Sequence, residues 1–324
     1  MLVETMGPSA RLLATALAVP IFDAESMERS RARMISGIAE DETDPMALAR
    51  KAWYSAAYPK HPYGRYPTSE SVESLTRDDL VAALPRLVNR ANATVAVVGA
   101  VTPEQAGKLV DTILGGVAEG SRVERVWSEM ANDPGITVID LPVPQSAAIF
   151  GHGSIQRTDP DFIPAFVMNY TLGGGSFNSR LTEEVREKRG LAYSVYSYMS
   201  LSGESAAYLG AVQTANESMS ESIEIIQNEW KRMAGEGVSE KELEKAKKFL
   251  TGAFALRFDS NAKIANYLVF MKEENLGIDY LDRRNDLIEA VTTDDIKRAA
   301  SRVLKPESLA ITVVGQPEAI ESTR

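Results

Sequence analysis

The 324-residue chain contains no cysteine and only two histidines, His61 and His152. The first absence removes a disulfide framework, a cysteine-ligated zinc and a thiol nucleophile together. The two histidines lie too far apart for an HExxH or HxxEH helix face, so a self-sufficient histidine-ligated zinc site is not expected. Positive charge is in deficit as well. The 35 Lys and Arg against 45 Asp and Glu leave a net charge of -10, which repels phosphate backbones and argues against a nucleic-acid partner. No stretch approaches the ~18 uninterrupted apolar residues that a membrane-spanning helix needs. What remains, 44% hydrophobic and 25% charged residues, is enough for a folded core, and the length suits about two domains at roughly 150 residues each.

The chain repeats itself. Thr76-Arg-Asp-Asp-Leu80 is echoed by Thr292-Thr-Asp-Asp-Ile296, and Val97-Val-Gly99 by Val313-Val-Gly315, both 216 positions apart. The same offset brings Phe22-Asp23 through Met27-Glu28-Arg29 onto Val238-Ser239 through Leu243-Glu244-Lys245. Asp23 and Ser239 both suit an N-cap, and Ser239 with Glu242 forms a capping-box pattern. Phe22 with Met27, and Val238 with Leu243, have the spacing of a hydrophobic staple. Each copy runs through helices to a short apolar strand, expected at Thr94 to Val98 and Ala310 to Val314. On this pattern residues 1–120 are the closing half of a first domain, 121–134 a linker, and 135–324 a complete second domain. Arg11, the apolar run Leu12 to Phe22 and Ala16-Leu17-Ala18 mimic a secretory signal, but the repeat makes them a helix inside a domain whose opening half is missing.

In the complete copy, strands are expected at Ile136 to Leu141 and Ser146 to Gly151, helices at about Asp161 to Leu172 and Phe177 to Arg189, and a strand pair at Ala192 to Met199 and Ser205 to Val212. Helices follow until the final strand. The order describes an α+β fold with helices packed on one face of a largely antiparallel sheet.

Two segments could carry chemistry. Leu172-Gly173-Gly174-Gly175-Ser176-Phe177 is a glycine-rich loop opening a helix, whose N–H groups could cradle an anion; it lacks the Lys-Ser/Thr of a P-loop, and glycines also serve close packing. Further on, Arg186 lies in a last helical turn, Gly190 can end the helix in a left-handed conformation, and Tyr193 begins the next strand. Both side chains leave one short turn and could converge on a ligand, the guanidinium donating to carbonyls or carboxylates. The alternative is a solvated helix end with Arg186 paired to Glu183. His61 sits in a Pro-flanked turn and His152 at a strand end; a serine triad using either would lack a Gly-x-Ser-x-Gly elbow.

The segments Leu172-Gly-Gly-Gly-Ser-Phe-Asn-Ser-Arg-Leu181 and Arg186-Glu-Lys-Arg-Gly-Leu-Ala-Tyr193-Ser-Val195 resemble the second-domain motif of the M16 zinc metallopeptidases, the pitrilysin, insulinase and mitochondrial processing peptidase group. His61-Pro-Tyr-Gly64 and the Thr76 region look like the latter part of that family's first domain. The resemblance covers nearly the whole chain and implies tandem homologous α+β domains. Family catalysis needs an HxxEH helix in the first half-domain, absent here, and a later glutamate whose position aligns with Gly37; neighbouring Glu40 reads as a surface residue. The resemblance therefore implies an inactive, non-catalytic subunit that binds no cofactor of its own, with zinc in a partner subunit of a heterodimer. It implies that Arg186 and Tyr193 bind the substrate peptide near the scissile carbonyl, with Gly173, Gly174, Gly175 and Ser176 as loop support. A structural, core-type subunit with no proteolytic role is the other reading, and self-association through the exposed half-domain a third kind of partnership. Bacterial relatives are often exported, which favours a periplasmic over a cytoplasmic setting.

Overall fold

The computed structural model describes residues 3–124, 126–131 and 133–323. In chain order the main elements are α1 (Met6–Ala18), α2 (Ala24–Asp41), α3 (Pro45–Ala57), α4 (Ser69–Glu73), α5 (Arg77–Leu87), α6 (Pro103–Leu114), β1 (Gly135–Asp140), β2 (Gln145–Gly153), α7 (Phe162–Asn169), β3 (Ala192–Ser202), β4 (Ser205–Ala215), α8 (Met219–Glu236), α9 (Glu240–Gly252), α10 (Asn261–Glu273), α11 (Tyr280–Glu289), α12 (Thr293–Val303) and β5 (Ala310–Gly315). The 216-residue offset carries α3 onto α10 and α5 onto α12 without a shift at either end. It carries hydrogen bonds too. Arg31 donates to the Glu73 carbonyl at 2.8 Å, and Lys247, its counterpart, to the Glu289 carbonyl at 2.6 Å. Thr76 with Asp79 and Thr292 with Asp295 form matching capping boxes, and Gly99 and Gly315 share a positive φ of 151° and 142°.

The chain divides into two compact units that do not follow the sequence copies: residues 1–38, 67–125 and 255–280 form one, and 39–66, 126–254 and 281–324 the other. Helix α3, from the first copy, belongs to the second unit, and its counterpart α10 to the first.

The second unit is built on a five-stranded sheet of order β1-β5-β2-β4-β3. β1 and β5 run parallel, and the other three pairings are antiparallel. β5 lies between β1 and β2, so the first two strands of the sequence are not neighbours. The period-2 alternation of strand side chains sorts the sheet into two faces. Ala148, Phe150, Tyr208, Val212, Ile311 and Val313 join the larger core with α7, α8 and α12. Ile149, Leu209, Ala211 and Val314 face the other way, onto α3. That helix starts at Asp44, whose carboxylate accepts the Ala47 N–H at 2.6 Å, and its Ala49, Trp53 and Ala57 form one buried stripe at helical spacing.

In the first unit, residues 94–99 form no strand, contrary to the expectation from the repeat. The counterpart β5 is held in ladders on both edges, by β1 and β2; the unit has no counterparts of those strands among its described residues, and a strand without ladder partners leaves its backbone groups to water. Val95 and Val97 are exposed. Leu12, Val19, Met27, Met34, Leu75 and Leu80 line an open apolar groove between helices of this unit, whereas Leu243, Val291 and Ile296, the counterparts of Met27, Leu75 and Leu80, are buried in the second unit's core.

Candidate functional site

The site is assembled where α7 runs through the glycine loop into β3. Asn169, buried at the end of α7, accepts from Ser197 Oγ at 2.9 Å and from Tyr208 Oη at 2.8 Å, tying the loop to β3 and β4. The backbone then passes so close to the sheet that a Cβ on Gly173 would stand 2.5 Å from the Ser197 nitrogen, and one on Gly175 2.5 Å from the Tyr170 carbonyl oxygen. Close approach accounts for glycine at these positions. Ser176 adopts a left-handed φ of 48°, uncommon for a residue with a side chain, and the following turn is held by Asn178 N–H to the Gly175 carbonyl at 3.0 Å and Ser179 N–H to the Ser176 carbonyl at 3.1 Å. Phe177 projects from that turn, the residue as a whole 68% exposed.

Residues Thr182–Glu187 form a wide helical turn. Gly190, at φ 63°, ends it: its N–H donates to the Arg186 carbonyl at 2.8 Å, and Leu191 N–H to the Val185 carbonyl at 2.9 Å, the reversal that a left-handed glycine permits. The register of β3 on β4 then slips between Ala192, opposite Thr214, and Ser194, opposite Gln213. Tyr193 is the extra residue of this bulge, and bulges re-aim side chains. It points outward, 83% exposed.

The result is a stack. The Arg186 guanidinium carbon lies 4.8 Å from the Phe177 ring centroid and 4.8 Å from that of Tyr193, both within cation–π range. Its ion pair is with Glu187 at 3.4 Å, not with Glu183, which binds Lys188 instead. The neighbouring cations are compensated: Lys188 and Arg189 each reach Glu184 at 2.7 Å, and these hydrogen bonds, Lys188's first, hold the Glu184 carboxyl below its ordinary range. A guanidinium clasped through its faces keeps its donors in plane, where they suit a carbonyl or carboxylate.

The structure thus brings Arg186 and Tyr193 together and adds Phe177, which the motif contained but the sequence argument passed over. An aromatic residue among Gly, Ser and Asn, belonging to no apolar period, was the available signal. Gly173 and Gly175 are buried, and Gly174 and Ser176 are exposed.

The histidines serve elsewhere. His152 is buried; its Nε2 accepts from the Trp230 indole at 3.0 Å and the Lys305 N–H at 3.3 Å, and its Nδ1 pairs with the Gly153 carbonyl at 2.8 Å. Burial holds its pKa below the ordinary imidazole value, so it is a neutral core residue with both nitrogens committed. His61 caps the short turn Pro62–Gly64, accepting the Tyr63 N–H at 3.3 Å. Gly37 has open space around it and Glu40 is exposed. Among the described residues no three His, Asp or Glu side chains are grouped to hold a metal ion.

The family model described as "Peptidase M16 inactive domain" matches residues 74–250, over half of the chain. A Helicobacter pylori protein named "Non-peptidase homolog YmxG" is 27% identical over 241 residues, covering 74% of this chain and 56% of its own length; the chain thus spans little more than half of that relative. An "Uncharacterized zinc protease" of Rickettsia bellii is 23% identical over 320 residues, covering 96% and 75%. The crystal structure of a peptidase M16 inactive domain from Pseudomonas fluorescens superposes with a TM-score of 0.90 at 28% identity, covering 98% of this chain and 76% of that one. The chain belongs to the peptidase M16 family and matches its inactive domain.

Proposed function

We propose that this chain is the non-catalytic subunit of a two-chain M16 metallopeptidase, binding the substrate peptide and positioning it for a partner that carries the zinc and the general base. On this reading residues 1–120 are the closing half of a first domain, 121–134 a linker and 135–324 the complete second domain. The observation that carries the proposal is the Arg186 guanidinium stacked on Tyr193 at 4.8 Å, with Tyr193 turned to solvent by a bulge. Such a pair has donors fixed in a plane and a phenol beside them, which suits the carbonyl groups of an extended peptide. Its contribution is orientation: a peptide bond held at a set angle to the partner's metal reacts as part of one complex, which removes much of the entropic cost of encounter.

The test starts from the full-length protein drawn from its native lysate. Recovery of a similar-sized chain carrying HxxEH, with chelator-sensitive peptide cleavage, is the expected result. In that complex Arg186→Ala lowers kcat/KM about tenfold to a hundredfold, and Tyr193→Phe lowers it less, with association of the subunits unchanged. Unaltered turnover in both variants overturns the assignment. Recovery of the chain with no cleaving partner moves the reading to a structural subunit.

A further inference from the structure

A cavity of about 330 Å3 opens in the second unit where β2 ends and β4 begins, at the opposite end of β4 from Tyr193. That volume lies near the lower limit of small-molecule sites. Trp127, Met130 and Ile155 give it apolar walls, and Glu129, Ser154 and Lys305 polar ones. The segment carrying Trp127 is tied down on both sides of Glu129: Ser128 N–H donates to the Glu204 carbonyl at 2.6 Å and Ala131 N–H to the Ala57 carbonyl at 2.8 Å. Trp127 is nonetheless 39% exposed. Ser154 has its N–H on the Ala206 carbonyl at 2.9 Å, but its hydroxyl is buried with no hydrogen-bond partner among the described residues, a state that native proteins leave few groups in.

The charges in the wall narrow the ligand. Arg302 is occupied by Asp159 and Asp161, at 2.6 and 2.7 Å, and both nitrogens of His152 are engaged. Lys305 and Glu129 are exposed and form no ion pair among the described residues, with each other or with a third group. A simple anion would suit Lys305 but meet the Glu129 carboxylate, and a simple cation the reverse. A free amino acid carries both charges on one carbon: its carboxylate suits Lys305 and brings an acceptor to the Ser154 hydroxyl, its ammonium suits Glu129, and a large apolar side chain covers Trp127 and Ile155. The interior of a peptide has neither charge. We propose that this cavity is a binding site for free amino acids with bulky apolar side chains, Leu or Phe, held through both ends of the zwitterion by Lys305 and Glu129. This assignment stands apart from the peptide-binding reading at Arg186.

The full chain, 15N-labelled, is titrated with L-leucine, L-phenylalanine, glycine, N-acetyl-L-leucine and L-leucinamide at about pH 6.5, where the amide's amine stays protonated. The Trp127 indole N–H signal is followed, assigned by its loss in Trp127→Phe. Leucine and phenylalanine are expected to move it saturably, and glycine far less. Acetylation and amidation each remove one charge and are expected to raise Kd about threefold to fivefold, the range of an exposed ion pair. In Lys305→Gln the amidation penalty disappears while the acetylation penalty persists; in Glu129→Gln the reverse holds. Exposed positions keep both variants folded, checked by an unchanged urea midpoint. Leucine that leaves the Trp127 signal in place overturns the site. Penalties that are absent in the parent, or that survive in both variants, overturn recognition through Lys305 and Glu129, and glycine binding as tightly as leucine overturns the apolar selection. None of these outcomes bears on Arg186.

Discussion

Trp53 donates its indole N–H to the Ala310 carbonyl oxygen at 3.1 Å, joining residues 257 positions apart in a fully buried contact. Trp53 comes from the first repeat copy and Ala310 opens β5 of the second. The helix that carries Trp53 packs on Ile149, Leu209 and Val314. Trp53→Ala is expected to destabilise the second unit by about 3–5 kcal/mol, the usual cost of a large core truncation, read as a fall in urea midpoint by far-UV circular dichroism. Expression of residues 126–324 alone is expected to yield a chain that binds a hydrophobic dye and unfolds broadly. Cooperative unfolding of that fragment at the parent midpoint would show that α3 is dispensable.

Much of this architecture follows from sequence, and the rest fails for identifiable reasons. The register of the repeat, the caps at Asp23 and Ser239, and the reversal at Gly190 are local: each depends on residues a few positions apart, and each appears in the structure. The insertion of β5 between β1 and β2 is not local, since nothing in an apolar run of six residues names its neighbours. The same limit explains Thr94 to Val98, whose composition matches β5 but whose ladder partners are missing. At the site, spacing across a short turn allowed Arg186 and Tyr193 to converge but equally allowed a solvated helix end, and only the resemblance to the M16 motif pointed to the pair. The bulge that turns Tyr193 outward depends on pairing with β4, and the stacking of Phe177 depends on the path of the glycine loop over Ser197; neither is written in the spacing.

Arg180 ties the site to the helices beneath it. Its Nε and Nη2 reach the two carboxylate oxygens of Glu242 at 2.7 and 2.9 Å, and Nη2 also donates to the Gly237 carbonyl at 2.9 Å. Burial alone would raise the Glu242 pKa, but the Arg180 hydrogen bonds and those from Ser239 outweigh it and pull the value down to about 2. A carboxylate held below its unfolded value, about 4.3, contributes stability that is complete above that value and lost as pH falls toward about 2. Glu242→Gln is expected to cost about 1 kcal/mol at pH 7, discounted because the side chain is 29% exposed. It should also flatten the acid limb of the stability curve between pH 4.5 and 2.5. An acid limb as steep as the parent's would mean that Glu242 titrates no differently in the native state.

Gly173→Ala tests whether the glycine loop is shaped by packing. The added methyl would meet Ser197 Oγ at 2.4 Å and its backbone nitrogen at 2.5 Å, and β3 cannot withdraw without breaking its ladder with β4. Overpacking of this kind costs about 1–3 kcal/mol. The expected outcome is a lowered melting temperature together with a changed Arg186 Nε–H environment by NMR, since the loop carries Phe177. A variant as stable as the parent, with the Arg186 signal in place, would show that the loop has slack at this point.

His152 offers a clean reading of buried imidazole energetics, because the chain has one other histidine, His61, and the interval from pH 5 to 7 is otherwise nearly free of titrating side chains. Its pKa is lowered, first by burial, and its Nε2 accepts from Trp230 and Lys305, bonds that a protonated ring cannot accept. In the unfolded chain the ring returns to about 6.5. Below that value the unfolded state takes up a proton that the native state refuses, so stability is complete above pH 6.5 and declines as pH falls toward the lower native value. The expected result is a urea midpoint that drops from pH 7 to pH 5 in the parent and is flatter in His152→Gln. That variant is less stable at pH 7 by about 1–3 kcal/mol, because glutamine restores at most part of the hydrogen bonding to Trp230. The His152 ring signals in the folded protein should meanwhile titrate below the ordinary imidazole range. A ring that titrates near 6.5 in the native state, with a pH-independent midpoint, would mean that the Trp230 contact opens readily to water.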